Sequence, residues 1–294
     1  MKLFDLHCDT IFRAIKENKD INNGDLCVNF EKIKKFEEYI GCFAIWIPDS
    51  IRKDDAFNLF NELIDRLNLE INKHLKFCKN IKIIISVEGG AVLGGDLSKI
   101  KILKSKGVKI LTLTWNGKCE IGDGIGVKNS KGLTDFGIQV IKELEKNNII
   151  IDLSHASKKL FYDVCELATK PFIATHSNSK SVCLHKRNLL DDQFMLIKQK
   201  NGIVGINFCN DFLSNSGNAN IEDVFEHIEK FLSFSGKDNI CIGSDFDGAD
   251  TLKEISNVSE IGKLYEFLLK KNYSENLVNK IFFNNAKRFF DNFS

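Results

Sequence analysis

Proline is nearly missing: Pro48 and Pro171 are the only two in 294 residues, so long helices meet few breaks. No apolar run approaches the roughly 18 residues of a membrane span. Asp5 and His7 interrupt the apolar stretch after Met1, so no secretory leader is expected. Residues 289–294 are too few and too polar for an anchor tail, so no membrane anchor is expected. An excess of either charge is absent too. With 41 basic and 40 acidic residues the formal net charge is +1, and nucleic acid and anionic membranes are poor partners. Cysteine is plentiful, at nine, but the count is odd and no C-x-x-C pair occurs. Single thiols in apolar runs, as at Cys42 and Cys241, suit buried free cysteines in a reducing compartment better than a disulfide framework. A cytoplasmic protein is expected.

What is present is enough apolar material for a large core, 43% of residues. Short runs rich in Ile, Val and Leu recur over 3–6, 42–47, 81–87, 108–114, 149–153, 172–175, 203–208 and 240–242. They are continuous rather than alternating, as in parallel strands covered on both faces. Helical periodicity lies between them: 56–69 sets Leu59, Phe60, Leu63, Ile64 and Leu67 on one face, and 136–144 and 224–231 behave alike. From residue 261 the chain reads as helical. Eight strands with intervening helices predict a (β/α)8 TIM-type barrel, one domain over 1–294 with a helical C-terminal tail. An open doubly wound sheet is the competing arrangement.

The polar residues choose between them. Run 3–6 leads into His7-Cys8-Asp9, run 81–87 into Glu88, run 149–153 into Ser154-His155, run 172–175 into His176, and run 240–242 into Gly243-Ser244-Asp245-Phe246-Asp247. In a barrel these strand ends converge on one face; in an open sheet they would be too far apart to share a metal centre. On an extended strand His7 and Asp9 point the same way and Cys8 points away, so one imidazole and one carboxylate can grip a cation. His155 and His176 can grip a second, and Glu88 has two oxygens with which to bridge them. Each feature alone is common: a strand-end histidine is more often a cap or core residue, and H-x-D arises by chance. Five such residues at the ends of the right strands point to a centre for two Zn2+, with Mn2+ or Co2+ as substitutes.

In this order and spacing the motifs resemble the membrane dipeptidase (renal dipeptidase) family of metallopeptidases. They are Asp5-Leu6-His7-Cys8-Asp9-Thr10, Ser86-Val87-Glu88-Gly89, Leu111-Thr112-Leu113-Thr114, Asp152-Leu153-Ser154-His155, Thr175-His176-Ser177-Asn178, His185-Lys186-Arg187-Asn188-Leu189 and Gly243-Ser244-Asp245-Phe246-Asp247-Gly248. The resemblance implies a barrel with a binuclear zinc centre: His7 and Asp9 on one ion, His155 and His176 on the other, Glu88 between. It implies that Arg187 binds the substrate's free carboxylate and that Asp245 handles protons. The implied reaction is dipeptide hydrolysis, with a D-residue tolerated at the C-terminal position, and relatives suggest a homodimer.

The chain departs from the family at Trp115, where animal members carry a histidine that steadies the oxyanion. Indole offers one donor and no proton to transfer. Trp115 and Asn116 are therefore expected beside the substrate, with Asn116 or the metals holding the oxyanion. Cys209 stands where relatives often have a tyrosine. The nearest alternative is another metal-dependent amidohydrolase on the same barrel, a cyclic-amide hydrolase or a deaminase. Many of those bridge their metals with a lysine, where this chain has Glu88. A silent scaffold barrel would be marked by lost ligands, and none is missing.

Overall fold

Seven strands make one curled sheet in the computed structural model, which describes residues 1–293. Ser294, the last residue of the expected tail, lies outside them. The strands are β1 (Lys2–Cys8), β2 (Glu38–Trp46), β3 (Ile81–Glu88), β4 (Val108–Thr112), β5 (Ile150–Asp152), β6 (Val204–Ile206) and β7 (Ile240–Ile242). Their order is β5-β4-β3-β2-β1-β7-β6, and the pairings are parallel.

The expected strand at 172–175 is not a strand of this sheet. It makes single parallel bridges instead, Asp152 with Ile173 and Ala174 with Val204, and so lies between the two marginal strands. Two physical reasons apply. Pro171 brings no N–H to the start of the segment. The segment is also too short for a ladder, since one residue pairs on each side: Ile173 N–H donates to Ile151 O at 3.0 Å and Ala174 N–H to Ile203 O at 3.1 Å. Strand-like runs 149–153 and 203–208 are likewise trimmed to three residues each.

The apolar runs are continuous because the strands are covered on both faces. One face forms an inner cluster, with Phe4 and Leu6 of β1, Ile40 and Cys42 of β2, Ile84, Ile110, Ile150 and Cys241, joined by Ile173 and Ile203. The other face packs on helices. Helix Lys53–His74 buries Phe60, Leu63, Ile64 and Leu67 of the stripe read from the sequence, with Ala56 added and Leu59 only partly buried. Helix Asp135–Lys146 starts where Thr134 Oγ1 accepts the Gly137 N–H at 2.9 Å. Helix Ile221–Ser233 starts at Asn220, whose side chain accepts from Glu222 N and Asp223 N.

The tail is helical, as expected, but not one rod. Helices Gly262–Lys270 and Glu275–Asn279 lead into a π-helical turn, Lys280–Asn284, and then into helix Asn285–Asn292. This stretch sets Phe283 and Phe290 against Phe4, with ring centroids 6.3 and 5.0 Å away. Phe4 lies near the start of β1, so the tail covers the strand N-terminal end and leaves the C-terminal end open. Among the described residues no helix is long and apolar enough to cross a membrane. All nine cysteines are free; Cys8, Cys42, Cys119, Cys183, Cys209 and Cys241 are buried and the other three partly so.

His227, which carried no sequence signal, is fully buried in helix Ile221–Ser233. Its Nδ1 accepts the Ser179 N–H at 3.1 Å and its Nε2–H donates to Leu213 O at 3.0 Å. Both nitrogens are used by the neutral ring. Burial lowers its pKa from 6.5 to about 4. The folded state thus binds fewer protons than the unfolded chain in that window, and stability falls as pH drops from 6.5 towards 4, by about 3 kcal/mol in all. Urea unfolding at pH 7 and pH 5 should show a smaller pH effect in His227→Gln than in the parent; an equal effect contradicts this assignment.

Candidate metal centre

Six side chains converge beyond the C-terminal ends of the strands. His7 is the next-to-last residue of β1 and Glu88 the last of β3. His155 follows β5 with φ +66°, and Asp245 follows β7 with φ +61°, so both loops turn sharply at a non-glycine residue. His176 follows the bridging segment. Asp9 is not on β1, as alternation would have it. It caps the helix Thr10–Lys16 with φ −100° and ψ 21°, and that turn carries its carboxylate to His7. None of the six is more than 8% exposed.

Glu88 stands between two groups. Its Oε2 lies 3.7 Å from His7 Nε2; its Oε1 lies 2.9 Å from His155 Nε2 and 3.5 Å from His176 Nε2. His7 Nε2 is also 3.3 Å from Asp9 Oδ2 and 4.0 Å from Asp245 Oδ1. The donor atoms form three overlapping triads: His7–Asp9–Glu88, Glu88–His155–His176 and His7–His176–Asp245, with no separation above 4.8 Å within a triad. All five expected ligands and Asp245 are thus brought together.

The electrostatics match that crowding. Burial, and next the charge of Asp9, push the Glu88 carboxyl well above its usual range, and burial raises Asp245. Burial opposes a proton on His7, but Asp9, Glu88 and Asp245 outweigh it and push His7 to about 10. Burial keeps His155 and His176 well below their usual value and therefore neutral. Both His7 nitrogens and Asp9 Oδ1 are buried with no hydrogen-bond partner in the protein. Clustered buried carboxylates with neutral imidazoles and unpartnered donor atoms are what a divalent cation satisfies. Gly248 keeps the space: a Cβ there would fall 2.0 Å from Asp9 Oδ2.

The imidazoles are oriented from behind. His155 Nδ1 is 2.9 Å from Asn116 Oδ1, which holds its N–H and leaves Nε2 turned to Glu88. His176 Nδ1 is 2.8 Å from Thr175 Oγ1, and that hydroxyl donates to Asp152 Oδ2 at 2.7 Å. A hydroxyl has one proton, so Thr175 accepts from His176 Nδ1–H, and Nε2 keeps its lone pair. Asp152 is fully buried and also accepts from Thr112 Oγ1 at 2.6 Å, Thr175 N at 2.9 Å and Ser154 N at 3.0 Å. Asp5 repeats the device on β1, accepting from His7 N at 3.3 Å, Ser244 N at 2.9 Å and Ser244 Oγ at 2.5 Å. Burial raises the Asp5 carboxyl to about 6.

The remaining candidates divide. Arg187 is buried, donates from Nη2 to His176 O at 3.3 Å, and leaves Nε without a protein partner. Its guanidinium lies 5.5 Å over the Phe212 ring. Asp245 Oδ2 accepts from Asn207 Nδ2 at 2.8 Å, and Asn207 is a site residue that the sequence did not mark. Asn116 backs His155. Trp115 lines a cleft of about 510 Å3 together with Asp9, Glu88, His155 and Asp245. Asp247, although two residues from Asp245, is a loop anchor: it accepts from Thr10 Oγ1 at 2.7 Å, Cys27 N at 2.7 Å and Val28 N at 3.1 Å. Cys8 and Cys209 are buried thiols whose pKa burial raises, Cys209 to about 12, which disfavours the thiolate at both.

A parallel α/β sheet that gathers histidines around a shared carboxylate at its strand C-terminal ends defines a metal-dependent hydrolase. Residues 1–293 match the profile of the membrane dipeptidase family, peptidase family M19. A Klebsiella pneumoniae protein, described as an uncharacterized protein in the pqqA 5' region, is 30% identical over 224 residues, covering 73% of this chain and 83% of that protein. Dipeptidase 3 of Mus musculus is 29% identical over 266 residues, covering 84% of this chain and 54% of the mouse protein. The chain thus spans about half the length of that relative. Among solved structures, dipeptidase AC, a metallopeptidase of family M19, superposes with a TM-score of 0.92 at 25% identity, covering 100% of this chain and 98% of the other. A metallopeptidase from Rhodobacter sphaeroides, liganded with a phosphinate mimic of the dipeptide L-Ala-D-Ala, has the same fold: TM-score 0.91, 24% identity, 100% and 99% covered. The chain belongs to the membrane dipeptidase family and is a peptide hydrolase of its metallodipeptidase class.

Removing the Thr175 hydroxyl should free the His176 ring. Thr175→Val is expected to weaken metal binding by about 10–100-fold, measured by competition with a chromogenic chelator, while Thr175→Ser stays near the parent. Equal affinities for the two variants would refute the relay.

Proposed function

We propose that this protein is a binuclear zinc dipeptidase on a closed (β/α)8 barrel formed by a single domain. The observation that carries the reading is the placement of Glu88, with one oxygen 3.7 Å from His7 and the other 2.9 Å from His155. Closure of the barrel is supported by the bridges that residues 173 and 174 make to β5 and β6, and by the inner cluster to which Ile173 and Ile203 contribute. His7 and Asp9 would hold one ion and His155 and His176 the other, with Glu88 shared; N and O donors of this kind suit zinc. Bound divalent ions supply Lewis acidity and bring the pKa of water towards neutrality.

The chain's own groups do the rest. The Arg187 guanidinium pairs with the free carboxylate of a dipeptide through two parallel hydrogen bonds, and its unpartnered Nε is one donor available for this. That anchor fixes the cut one residue from the C-terminus, and the family resemblance supports tolerance of a D-residue there. Asn207 holds Asp245 at Oδ2, leaving Oδ1 on the His7 side. Burial raises the Asp245 carboxyl, so it exchanges a proton more readily near neutral pH than an exposed aspartate does. It takes the proton of the attacking water and passes it to the leaving amine. Asn116 accepts from His155 through Oδ1, which leaves its Nδ2 as a donor available to the oxyanion in the cleft it lines. The free thiols suit a reducing compartment, in keeping with a cytoplasmic enzyme.

Exhaustive chelation should abolish hydrolysis of dipeptides, and zinc should restore it. Activity that survives complete metal removal sinks the binuclear reading. Arg187→Ala should raise KM for free dipeptides by about tenfold or more, the scale of a lost buried charge pair, with a much smaller change for the matching C-terminal amides. A similar change for both would remove Arg187 from carboxylate binding.

A further inference from the structure

We propose that Phe12, Trp46 and Trp115 form the subsite for the first residue of the substrate, and that they select an aromatic or large apolar side chain there. This rests on the dipeptidase reading and adds a substrate class to it. The three rings form a ladder: Phe12 meets Trp46 edge-on with centroids 4.7 Å apart at 76°, and Trp46 meets Trp115 at 4.9 Å and 65°. The Trp115 ring then lies 6.1 Å from the ring of His155. All three aromatics are only partly buried and line the same cleft as Glu88 and His155. Each ring is fixed by the next, so the wall is preorganised and binding against it costs little side-chain entropy.

The order of the strands says which residue of the dipeptide meets this wall. Phe12 follows β1, Trp46 ends β2 and Trp115 follows β4. Arg187 lies in the loop between segment 172–175 and β6, and Phe212 in the short helix Asn210–Leu213 after β6. β6 is separated from β2 by β7 and β1 on one side and by segment 172–175, β5, β4 and β3 on the other. The metal centre lies between these two arcs. A dipeptide with its carboxylate on Arg187 and its scissile carbonyl at the Glu88 group therefore extends its amino-terminal side chain towards the indoles. Charged groups are present at the same cleft, Arg13, Lys16 and Glu17, but Arg13 is occupied by Asp247 and Glu17, each at 3.3 Å. An acidic first residue would have to compete for it.

The chain has two tryptophans and both are in this wall, so tryptophan emission, excited at the red edge where its four tyrosines do not absorb, reports on the subsite. The experiment uses metal-loaded enzyme and the series Phe-Ala, Trp-Ala, Leu-Ala, Gly-Ala and Asp-Ala. The expected result is a kcat/KM at least tenfold higher for Phe-Ala than for Gly-Ala. That ratio should fall towards one in Trp46→Ala and Trp115→Ala and survive in Trp46→Phe and Trp115→Phe. The ratio of Ala-Phe to Ala-Gly should be the same in all five proteins. A non-hydrolysable phosphinate mimic of Phe-Ala should shift the tryptophan emission, and a mimic of Gly-Ala should shift it far less. Equal rates across the series, a preference for Asp-Ala, or variants that alter the second-position ratio instead would each overturn the subsite while leaving the dipeptidase intact. Hydrolysis of no dipeptide would overturn the dipeptidase reading and the subsite with it.

Discussion

A buried carboxylate held in common by two histidine groups is the constraint on which this molecule turns. Glu88 is 3% exposed and lies within 4 Å of His7, His155 and His176, which come from three separate parts of the chain. A negative charge there is tolerable only beside cations, and Asp9 and Asp245 increase the demand. The fold meets that demand by geometry. Parallel strands bring loop after loop to one end, while the C-terminal helices cover the other, so polar groups accumulate at a single face.

Two aspartates make that face rigid. Asp5 and Asp152 sit at corresponding places on β1 and β5, and each accepts the N–H of the residue two positions on. Each also takes an N–H and a hydroxyl from the neighbouring segment, Ser244 for Asp5 and Thr175 for Asp152. Carboxylates that could have been ligands are used instead as clamps between adjacent segments. The seams they close are those next to His7 and His176, so positioning the ligands and joining the sheet are one task.

Much of this was legible in the sequence, and the failures have physical causes. The strand-end placement of His7, Glu88, His155, His176 and Asp245 followed from apolar runs that stop at a polar residue. That signal is local, and the structure brings those residues together. Asp9 reached the site by a helix-cap turn rather than by alternation, because the strand ends one residue earlier. Segment 172–175 has the composition of a strand but too few paired backbone groups on either side. Asn116 lines the cleft beside Trp115 and also accepts from His155, 39 positions away, a second contact that no periodicity encodes. Asp152 and Asn207 were missed for the same reason: their roles lie in hydrogen bonds to side chains distant in the sequence.

The packing of Phe283 and Phe290 against Phe4 also bears on how the chain is made. β1 precedes the other six strands in the sequence and lies inside the sheet, between β2 and β7. Its partner β2 follows within some forty residues, but β7 and the aromatic cover of Phe4 arrive only after position 240. At 5–20 residues per second, β1 waits about 15–60 s with one edge unpaired and an apolar end uncovered. During that interval the apolar residues of β1 stay exposed in the nascent chain, so closure of this part of the sheet depends on segments made long after it.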